Sequence, residues 1–426
     1  LDGRVVRRNM SVGGGVVELI GIADALLGAL GGDSFGVDLS LADLGIAGIG
    51  LFSLDDADFE NFAIADNTIA SQAIGIGLVS ASFDEDDFSC LDYGVVRDNT
   101  IVDVWFGVLG YAQFGHLYEL DIDRNTIVAG TDDVVGGILA NQVGPAFGFD
   151  FTDFPGIAGM AFFVGERGEL AYTVVRRNQV DGFIWGFLAN ATDEYASLDG
   201  LTIRRNLFTD NAVGIQVSGQ QGASLEDVVI RENEIYGSAF GIIAAIDSDD
   251  TVRDTQSYMT VDIIGNTIAG NGNRIGQGFY GLEVMSEVIA SDDALDSERL
   301  WFWEGFAEMP DDIGVVLPPE LTAGGLDGDI PESYFDWEDQ TANGFSGVLV
   351  SFNGVTEGGR ARVRDNAISG YRNGMYAAVQ NIDDADPISL RFLENTSAHN
   401  ILVGDTADYA LTQTGAGQDL FLNLFY

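Results

Sequence analysis

Short apolar strands alternate with small polar turns along the chain, and one pattern recurs about every 28 residues. Its clearest member is an asparagine that is usually followed, two positions later, by an aliphatic residue or phenylalanine. These asparagines are Asn9, Asn67, Asn99, Asn125, Asn178, Asn206, Asn233, Asn266, Asn366 and Asn395. Most neighbours are 26 to 33 residues apart. The gaps of 58 and 53 residues are each close to two repeats, and a degenerate coil is expected near Asp43 in the first gap.

A second marker is a glycine eight residues after the asparagine, where an apolar strand begins. It is found at Gly75, Gly107, Gly186, Gly214, Gly241 and Gly374. Short runs rich in valine and isoleucine, in which apolar and polar residues alternate and which glycines separate, are typical of β-strands joined by turns. We expect these glycines to supply turn conformations that other residues resist. Because one repeat cannot bury its own apolar side, the repeats must stack, which predicts a parallel solenoid with hydrogen-bonded asparagines along it.

The repeat resembles that of the right-handed parallel β-helix proteins of the pectate-lyase-like superfamily. The likeness rests on the polar-Asn-x-Ile motif followed by Gly-Ile, and it covers most of residues 1–285 and 345–426. It implies an all-β, single-stranded, right-handed β-helix of roughly 12–14 coils, with three strands per coil. It does not identify an activity, because this scaffold carries lyases, hydrolases, epimerases, adhesins and phage spikes. The asparagine ladder that it implies comprises Asn67, Asn99, Asn125, Asn178, Asn206, Asn233, Asn266, Asn366 and Asn395.

Two segments interrupt the period. They divide the chain into coils over residues 1–285, an insertion over 286–345 and further coils of the same solenoid over 346–426. The insertion is compatible with a short helix followed by a loop rich in proline and aspartate. An excursion over residues 142–170 is rich in phenylalanine, so we expect it to cover the solenoid or to meet another chain. Residues 16–31 are compatible with a strand and a short amphipathic helix.

The charge balance is strongly acidic, with 67 acidic residues, 19 basic residues and a net charge of -48. All the basic residues are arginine. Such a surface keeps a protein soluble at high ionic strength, which favours an extracellular or cell-surface location and a saline habitat. It argues against nucleic acid and anionic membranes as partners. No apolar run reaches the roughly 18 residues that a transmembrane helix needs. Because the first residue is not methionine, we expect a processed or partial product.

Arginine is concentrated just before the pattern asparagines, where ten of the 19 arginines stand one or two positions upstream. Acidic residues occupy many of the remaining places. We interpret these positions as a solvent-facing ladder of arginines and carboxylates, and such exposed pairs stabilise by only about 0–1 kcal/mol each. The alternative is a basic stripe that binds an acidic ligand.

Clusters of carboxylates follow several Gly-Ile strands, and stacking would bring their loops to one edge. Clusters that contain only oxygen ligands suit Ca²⁺. No cofactor is required by the sequence, and solvated acidic turns are the alternative to calcium sites. The candidate ligands are Asp84, Asp86, Asp87, Asp247, Asp249, Asp250, Asp383, Asp384 and Asp386.

The insertion carries candidate binding residues, because aromatic side chains beside carboxylates can stack on sugar rings or anchor a protein contact. These are Trp301, Trp303, Trp337 and Tyr334, and packing on the solenoid is the alternative role. Catalysis has little support. The two histidines lack metal-ligand spacing, and the single cysteine, Cys90, is expected to be a small core residue.

The pattern therefore favours a non-enzymatic, extracellular or cell-surface β-helix with a structural or adhesive role. We expect it to associate with itself, as a fibre, sheath or surface layer, or with another surface protein. Head-to-tail stacking through both ends is one route to such an assembly. The alternatives are a calcium-dependent polysaccharide lyase, a glycoside hydrolase or a glycan-binding protein, and a phage spike or fibre.

Overall fold

The computed structural model describes fifteen stretches of the chain. They are residues 5–7, 10–12, 45–54, 57–82, 88–130, 156–192, 195–220, 222–238, 240–247, 257–270, 344–353, 359–380, 388–398, 407–413 and 421–425. The regular structure in these stretches is entirely β, and the strands pair in parallel as a solenoid. This confirms the predicted fold class. The described residues contain no helix that is long and apolar enough to cross a membrane. The two predicted helices lie outside these stretches.

Each coil contributes strands to up to four parallel stacks. The first stack contains β4 (Asp58–Glu60), β7 (Ser89–Asp92), β10 (Gly115–Tyr118), β14 (Glu169–Ala171), β18 (Ser197–Asp199) and the start of β22 (Ser224–Arg231). The second stack contains β1 (Val5–Arg7), β5 (Ala63–Ala65), β8 (Val95–Arg97), β11 (Asp121–Asp123), β15 (Val174–Arg176), β19 (Thr202–Arg204), the rest of β22, β25 (Tyr258–Ile264), β28 (Gly359–Arg364), β31 (Ile388–Leu393) and β34 (Phe421–Phe425).

The third and fourth stacks complete the coils. The third contains β2 (Met10–Val12), the starts of β6 (Thr68–Ala81) and β9 (Thr100–Gln113), β12 (Thr126–Val128), β16 (Gln179–Asp181), β20 (Leu207–Thr209), β23 (Glu234–Tyr236), β26 (Thr267–Ala269), β29 (Ala367–Ser369) and β32 (Thr396–Ala398). The fourth contains β3 (Gly45–Leu54), the rest of β6 and β9, β13 (Gly156–Val164), β17 (Phe183–Ala191), β21 (Val213–Gly219), β24 (Phe240–Asp247), β27 (Gly344–Asn353), β30 (Tyr371–Gln380) and β33 (Ala407–Gln413).

Apolar side chains of successive coils lie over one another inside the solenoid. The aliphatic position two residues after each ladder asparagine is buried wherever the structure describes its side chain, as at Ile69, Ile101 and Ile235. A second buried column stands three residues before the asparagine, and it includes Val175 and Ile203. Burying one such side chain stabilises the fold by about 1.5–3 kcal/mol. The core is therefore a continuous column along the axis.

The corners between stacks are made by residues with left-handed backbone conformation, five positions apart. In one coil these are Tyr93, Asp98 and Asp103, with φ of 56°, 54° and 56°. The middle position, just before the asparagine, recurs in the next coils as Arg124 and Arg177, with φ of 53° and 55°. This conformation costs an ordinary residue about 1–2 kcal/mol. The charged residues that precede the asparagines therefore also form a corner.

The glycines of the second sequence marker have a different role from the one expected, because none of those described has a left-handed φ. A Cβ added at Gly75 would lie 2.4 Å from Cγ2 of Ile101 and 2.6 Å from the carbonyl oxygen of Gly107. A Cβ at Gly214 would lie 2.5 Å from Cγ2 of Ile235 and 2.6 Å from the carbonyl oxygen of Gly241. These glycines therefore permit the close approach of successive coils.

The two long gaps between asparagines are single coils, which corrects the prediction of two repeats in each. Strand β1 pairs directly with β5, and β11 pairs directly with β15. The excess residues, 13–44 and 131–155, lie outside the described stretches. Among the described residues the second stack contains fewer strands than the 12–14 coils predicted. The predicted degenerate coil near Asp43 lies outside the described stretches. From β4 to β18 the coils have three short sides and one long side, where the resemblance implied three strands per coil.

The middle strands of the fourth stack, β13, β17 and β21, are buried on both faces, which explains their nearly continuous apolar sequence. Met160 and Phe162 point into the core, and their neighbours Ala161 and Phe163 on the opposite face are also buried. Residues 156–164, assigned to an excursion from the sequence, are therefore a regular strand. The part of the predicted excursion from residue 142 to 155 lies outside the described residues.

Candidate functional site on two outer faces

The ladder asparagines form a continuous hydrogen-bonded row at the corner between the second and third stacks. The backbone N–H of Asn178 and its Nδ2 both donate to Oδ1 of Asn206, at 2.9 and 3.0 Å. Nδ2 of Asn178 also donates to the carbonyl oxygen of Ile122, at 2.9 Å. The same three contacts recur from Asn99 to Asn366, and they fix the height and orientation of every neighbouring corner.

Outside this corner, the second stack presents arginines. Arg176, Arg204 and Arg231 lie in register on three successive strands, which are about 4.8 Å apart in such sheets. Arg177 and Arg205 stand at the adjoining corner, with φ of 55° and 54°. These five residues are called the arginine patch below. They stand together in a chain whose net charge is -48.

Only part of the arginine patch is neutralised by the described residues. Arg176 donates to Asp121 at 2.6 Å, and Arg177 donates to Asp123 at 2.7 Å. Asp121 and Asp123 both belong to β11, the strand stacked next to β15, so these ion pairs join successive coils. Such contacts are the ladder of arginines and carboxylates that the sequence suggested.

Arg205 is also paired, with Glu232 at 2.5 Å. The other two arginines of the patch, Arg204 and Arg231, form no ion pair with any residue that the structure describes. Nε of Arg231 is buried and has no hydrogen-bond partner there. Burial, followed by the charges of Arg231, Arg176 and Arg205, lowers the pKa of Arg204. The patch is therefore a locally cationic surface on an acidic protein.

The first stack presents carboxylates on its outer face. Asp58 and Glu60 on β4 are exposed, Asp92 lies beside Glu60 on β7, and Glu119 is exposed at the next corner. These four residues are called the acidic patch below. The arrangement gives the rod two adjacent outer faces of opposite local charge.

Asp92 is the most perturbed of these groups. Burial raises the pKa of Asp92 to about 6, His116 opposes the shift, and the nearby carboxylates of Glu60 and Asp58 add to it. Oδ1 of Asp92 is buried without a hydrogen-bond partner in the described structure. Cys90 lies two residues away, half-buried on the same outer face rather than in the core as predicted, and burial raises its pKa to about 12.

A histidine–carboxylate pair adjoins Asp92. Nδ1 of His116 lies 3.0 Å from Oε2 of Glu169 on the neighbouring strand. The hydrogen bond to Glu169 raises the pKa of His116, and the same bond lowers the pKa of Glu169. The ring of Phe88 packs edge-on against His116, with centroids 5.9 Å apart. The pair can hold a proton at the edge of the acidic patch.

Three tyrosines run along the corner between the first and second stacks. The ring centroids of Tyr93 and Tyr118 are 6.0 Å apart, and those of Tyr118 and Tyr172 are 5.4 Å apart, both edge to face. Tyr93 and Tyr172 are 45% and 52% exposed, which leaves an aromatic surface open to solvent. We call these three residues the tyrosine row. Aromatic rings beside carboxylates can contact a sugar or a protein.

Replacing Asp92 by asparagine is expected to stabilise the protein at pH 8. Because the pKa of Asp92 in the folded state lies near 6, above the ordinary value of 3.8, its ionisation at higher pH disfavours folding. The stability that the protonated group contributes is complete below about 3.8 and is lost as the pH rises through about 6. We expect a gain of about 1 kcal/mol, allowing for solvent screening, measured by urea denaturation.

The gain of the Asp92→Asn variant should shrink as the pH falls from 6 towards 4. The exposed Glu226 lies on the same outer face, so Glu226→Gln is the matched control for the loss of one negative charge. A variant that is less stable than the wild type at pH 8 would contradict the assignment of Asp92 as a destabilised carboxylate.

The predicted binding and metal residues are not among those whose side chains the structure describes. The four aromatic residues of the insertion lie outside the described stretches, and so do the acidic loops; of Asp247 only the backbone is described. Within the described part of the chain, no three histidine, cysteine or acidic side chains are grouped so as to hold a metal ion. Calcium binding and the role of Trp301, Trp303, Tyr334 and Trp337 stay predictions.

The tyrosine row and the acidic patch were missed from the sequence. The signal was available, because Tyr93 and Tyr172 both stand six residues before a ladder asparagine, and Asp92 stands one position further upstream. A recurring position so far from the asparagine can be recognised only when the pairing register of the strands in the first stack is known.

Comparison with known proteins identifies neither a family nor an activity for this chain. No family model and no curated protein matches the chain. Among solved structures, the chain is similar to XylC, solved in complex with xylose, with a TM-score of 0.31 and 15% identity over 54% of this chain and 36% of that one. It is also similar to the Streptococcus pneumoniae surface protein and adhesin PfbA, with a TM-score of 0.28 and 9% identity over 87% of this chain and 83% of that one. The described fold rests on the strand pairings themselves.

Proposed function

We propose that this chain is a non-enzymatic β-helix of the pectate-lyase-like type that works outside the cell or on its surface, in a structural or adhesive role. The observation that carries the proposal is the arrangement of exposed chemistry in rows. Arginines recur at one position on three successive coils, and carboxylates and tyrosines lie on successive coils of the neighbouring face. A surface of this kind offers repeated equivalent contacts, as a fibre, sheath or surface layer requires.

Rigidity supports the same role. From Asn67 to Asn395 the hydrogen-bonded asparagines and the buried column join successive coils, so an extended partner would meet a surface of fixed spacing. The extreme negative charge would keep such rods dispersed until local contacts or salt allow them to associate. A saline environment suits this behaviour, because ions screen the repulsion between rods.

The proposal is tested by electron microscopy and light scattering of the purified chain across protein concentration and at 0.01–1 M salt. We expect associated rods, with a mass well above the 45.4 kDa of one chain. Isolated monomers at every concentration and salt, without binding to cells or surface polymers, would contradict it. Binding to a cell surface by monomers would favour the adhesive role over the structural one.

Glycan binding is the second candidate, and the tyrosine row beside Asp92 and Glu169 favours it. The same preparation is titrated with neutral and acidic oligosaccharides, while the release of reducing ends and unsaturated products is followed. Saturable binding that Tyr118→Ala abolishes would support a glycan-binding role. Product release would replace the non-enzymatic proposal with a carbohydrate-active enzyme.

A further inference from the structure

The arginine patch and the acidic patch carry opposite charges, and both contain side chains that could form an arginine–carboxylate ion pair. Arg204 and Arg231 form no ion pair with described residues, and neither do Glu60, Asp92 and Glu119. Each patch therefore contains charged groups that form no ion pair with a described residue. A guanidinium and a carboxylate both gain most from a partner of opposite charge with matching geometry.

Within one molecule the two patches cannot meet. The acidic patch lies on coils that span residues 58 to 119, whereas the arginine patch lies on coils that span residues 174 to 231. The stacked strands between them hold these coils at fixed heights along the axis. Neutralisation of one patch by the other consequently requires two molecules.

The spacing of the two patches matches because one repeat generates both. Arg176, Arg204 and Arg231 recur at the distance between neighbouring strands. Glu60 and Asp92 are related in the same way, and Tyr118 takes the equivalent position on the next coil. Arginine–carboxylate pairing across this distance already occurs inside the chain. Nε and Nη2 of Arg124 donate to the two carboxylate oxygens of Asp98 on the adjacent coil, at 2.7 and 2.8 Å. The same fork can pair with a carboxylate row that approaches from outside.

From these observations we infer that the partner of the arginine patch is the acidic patch of a second copy of this chain. The contact aligns rods side by side, and it deepens the proposed function by naming the surfaces through which the rods associate. The tyrosine row borders the acidic patch and adds aromatic area, on which the guanidinium groups of the second copy can stack.

Salt should strengthen this contact before it weakens it. Two bodies of charge -48 repel one another over long distances at low ionic strength. The range of this repulsion falls from about 30 Å at 0.01 M salt to about 8 Å at 0.15 M, whereas pairs in direct contact are screened much less. We therefore expect association to tighten between these two concentrations. A contact driven by attraction alone would weaken over the same range.

The experiment measures self-association of the full chain by sedimentation velocity at 0.15 M salt. Two double variants reverse charge on one patch each, Arg204→Glu with Arg231→Glu, and Glu60→Arg with Glu119→Arg. Each is expected to weaken lateral association at least tenfold. An equimolar mixture of the two should associate again, because each supplies the patch that the other has lost. Circular dichroism and thermal unfolding establish that both variants fold.

The control is Arg360→Glu with Arg391→Glu, which makes the same change of net charge at two exposed arginines outside the patch. It should associate as the wild type does, after allowance for the added net charge. Equal association of the wild type and the Arg204→Glu, Arg231→Glu variant would overturn the inference and leave the proposed function intact. A wild type that stays monomeric and binds no surface would overturn both. Capture of a soluble sulfated polysaccharide by a monomeric wild type would also overturn the inference.

Discussion

Replacing Asn178 by alanine is expected to lower the free energy of unfolding by about 3–6 kcal/mol, because several buried groups lose their partners at once. Oδ1 of Asn178 accepts from the backbone N–H and the Nδ2 of Asn125, both at 2.9 Å. Its own Nδ2 donates to Ile122, at 2.9 Å. Alanine removes all of these contacts and has no polar atom to replace them. Urea denaturation followed by circular dichroism measures the loss.

The neighbouring Gln179 provides the control, since its side chain is exposed and Gln179→Ala should change stability by less than about 0.5 kcal/mol. Asn178→Asp tests the hydrogen-bond donor alone. A carboxylate there can still accept from Asn125 but faces the carbonyl oxygen of Ile122, so the buried charge raises its pKa in the folded state. Its stability should be greatest at acid pH and fall as the pH rises. An Asn178→Ala variant as stable as wild type would contradict the ladder's importance.

Replacing Gly75 by alanine is expected to cost about 1–3 kcal/mol, the usual range for overpacking a core. The added Cβ would lie 2.4 Å from Cγ2 of Ile101 and 2.6 Å from the carbonyl oxygen of Gly107. Ile101 can shift, but the carbonyl belongs to the backbone of the next coil and cannot move without disturbing the stack. The loss should appear as a lower midpoint in thermal and urea unfolding.

Gly77 is a closely matched control, because it lies two positions further along the same strand. A Cβ there would meet only Cγ2 of Ile74, at 3.8 Å, which is an ordinary contact. Gly77→Ala should therefore be neutral or slightly stabilising, through the reduced freedom of the unfolded chain. Equal losses at Gly75 and Gly77 would refute the explanation by close approach of the coils.

Much of the fold could be predicted from the sequence because solenoid stacking copies one side chain over the next. The asparagines, and the aliphatic residues two positions after them, face the interior wherever the structure describes their side chains, so the pattern is visible in the sequence. The prediction of two repeats in each of the 58- and 53-residue gaps was wrong for a physical reason. The Oδ1 of Asn178 accepts from Asn125 across 53 residues with the geometry that Asn206 provides across 28. Nothing in the length of a gap distinguishes an excursion from a second coil.

The outer faces were harder to predict, because many types of residue are tolerated at a position that is exposed to solvent. The arginines were recognised, since they adjoin the asparagines, but their pairing depends on which residues stand beside them on the next coil. Asp123 and Arg176 are 53 residues apart in the chain and neighbours in the second stack. The first stack varies more, with Asp92 opposite Tyr118, so no single residue type marks its register.

The asparagines of the ladder make the same hydrogen bonds whether few or many residues separate them, and this has a practical use. Asn266 donates to Asn366 at 2.9 Å although 100 residues separate them, and the strands on either side resume their pairing in register. The hydrogen bond between the two asparagines and the pairing of β26 with β29 are therefore kept across a long stretch of intervening chain. Foreign domains grafted between residues 270 and 344 should leave the rod intact, so the scaffold could serve to display cargo at a chosen height along its length.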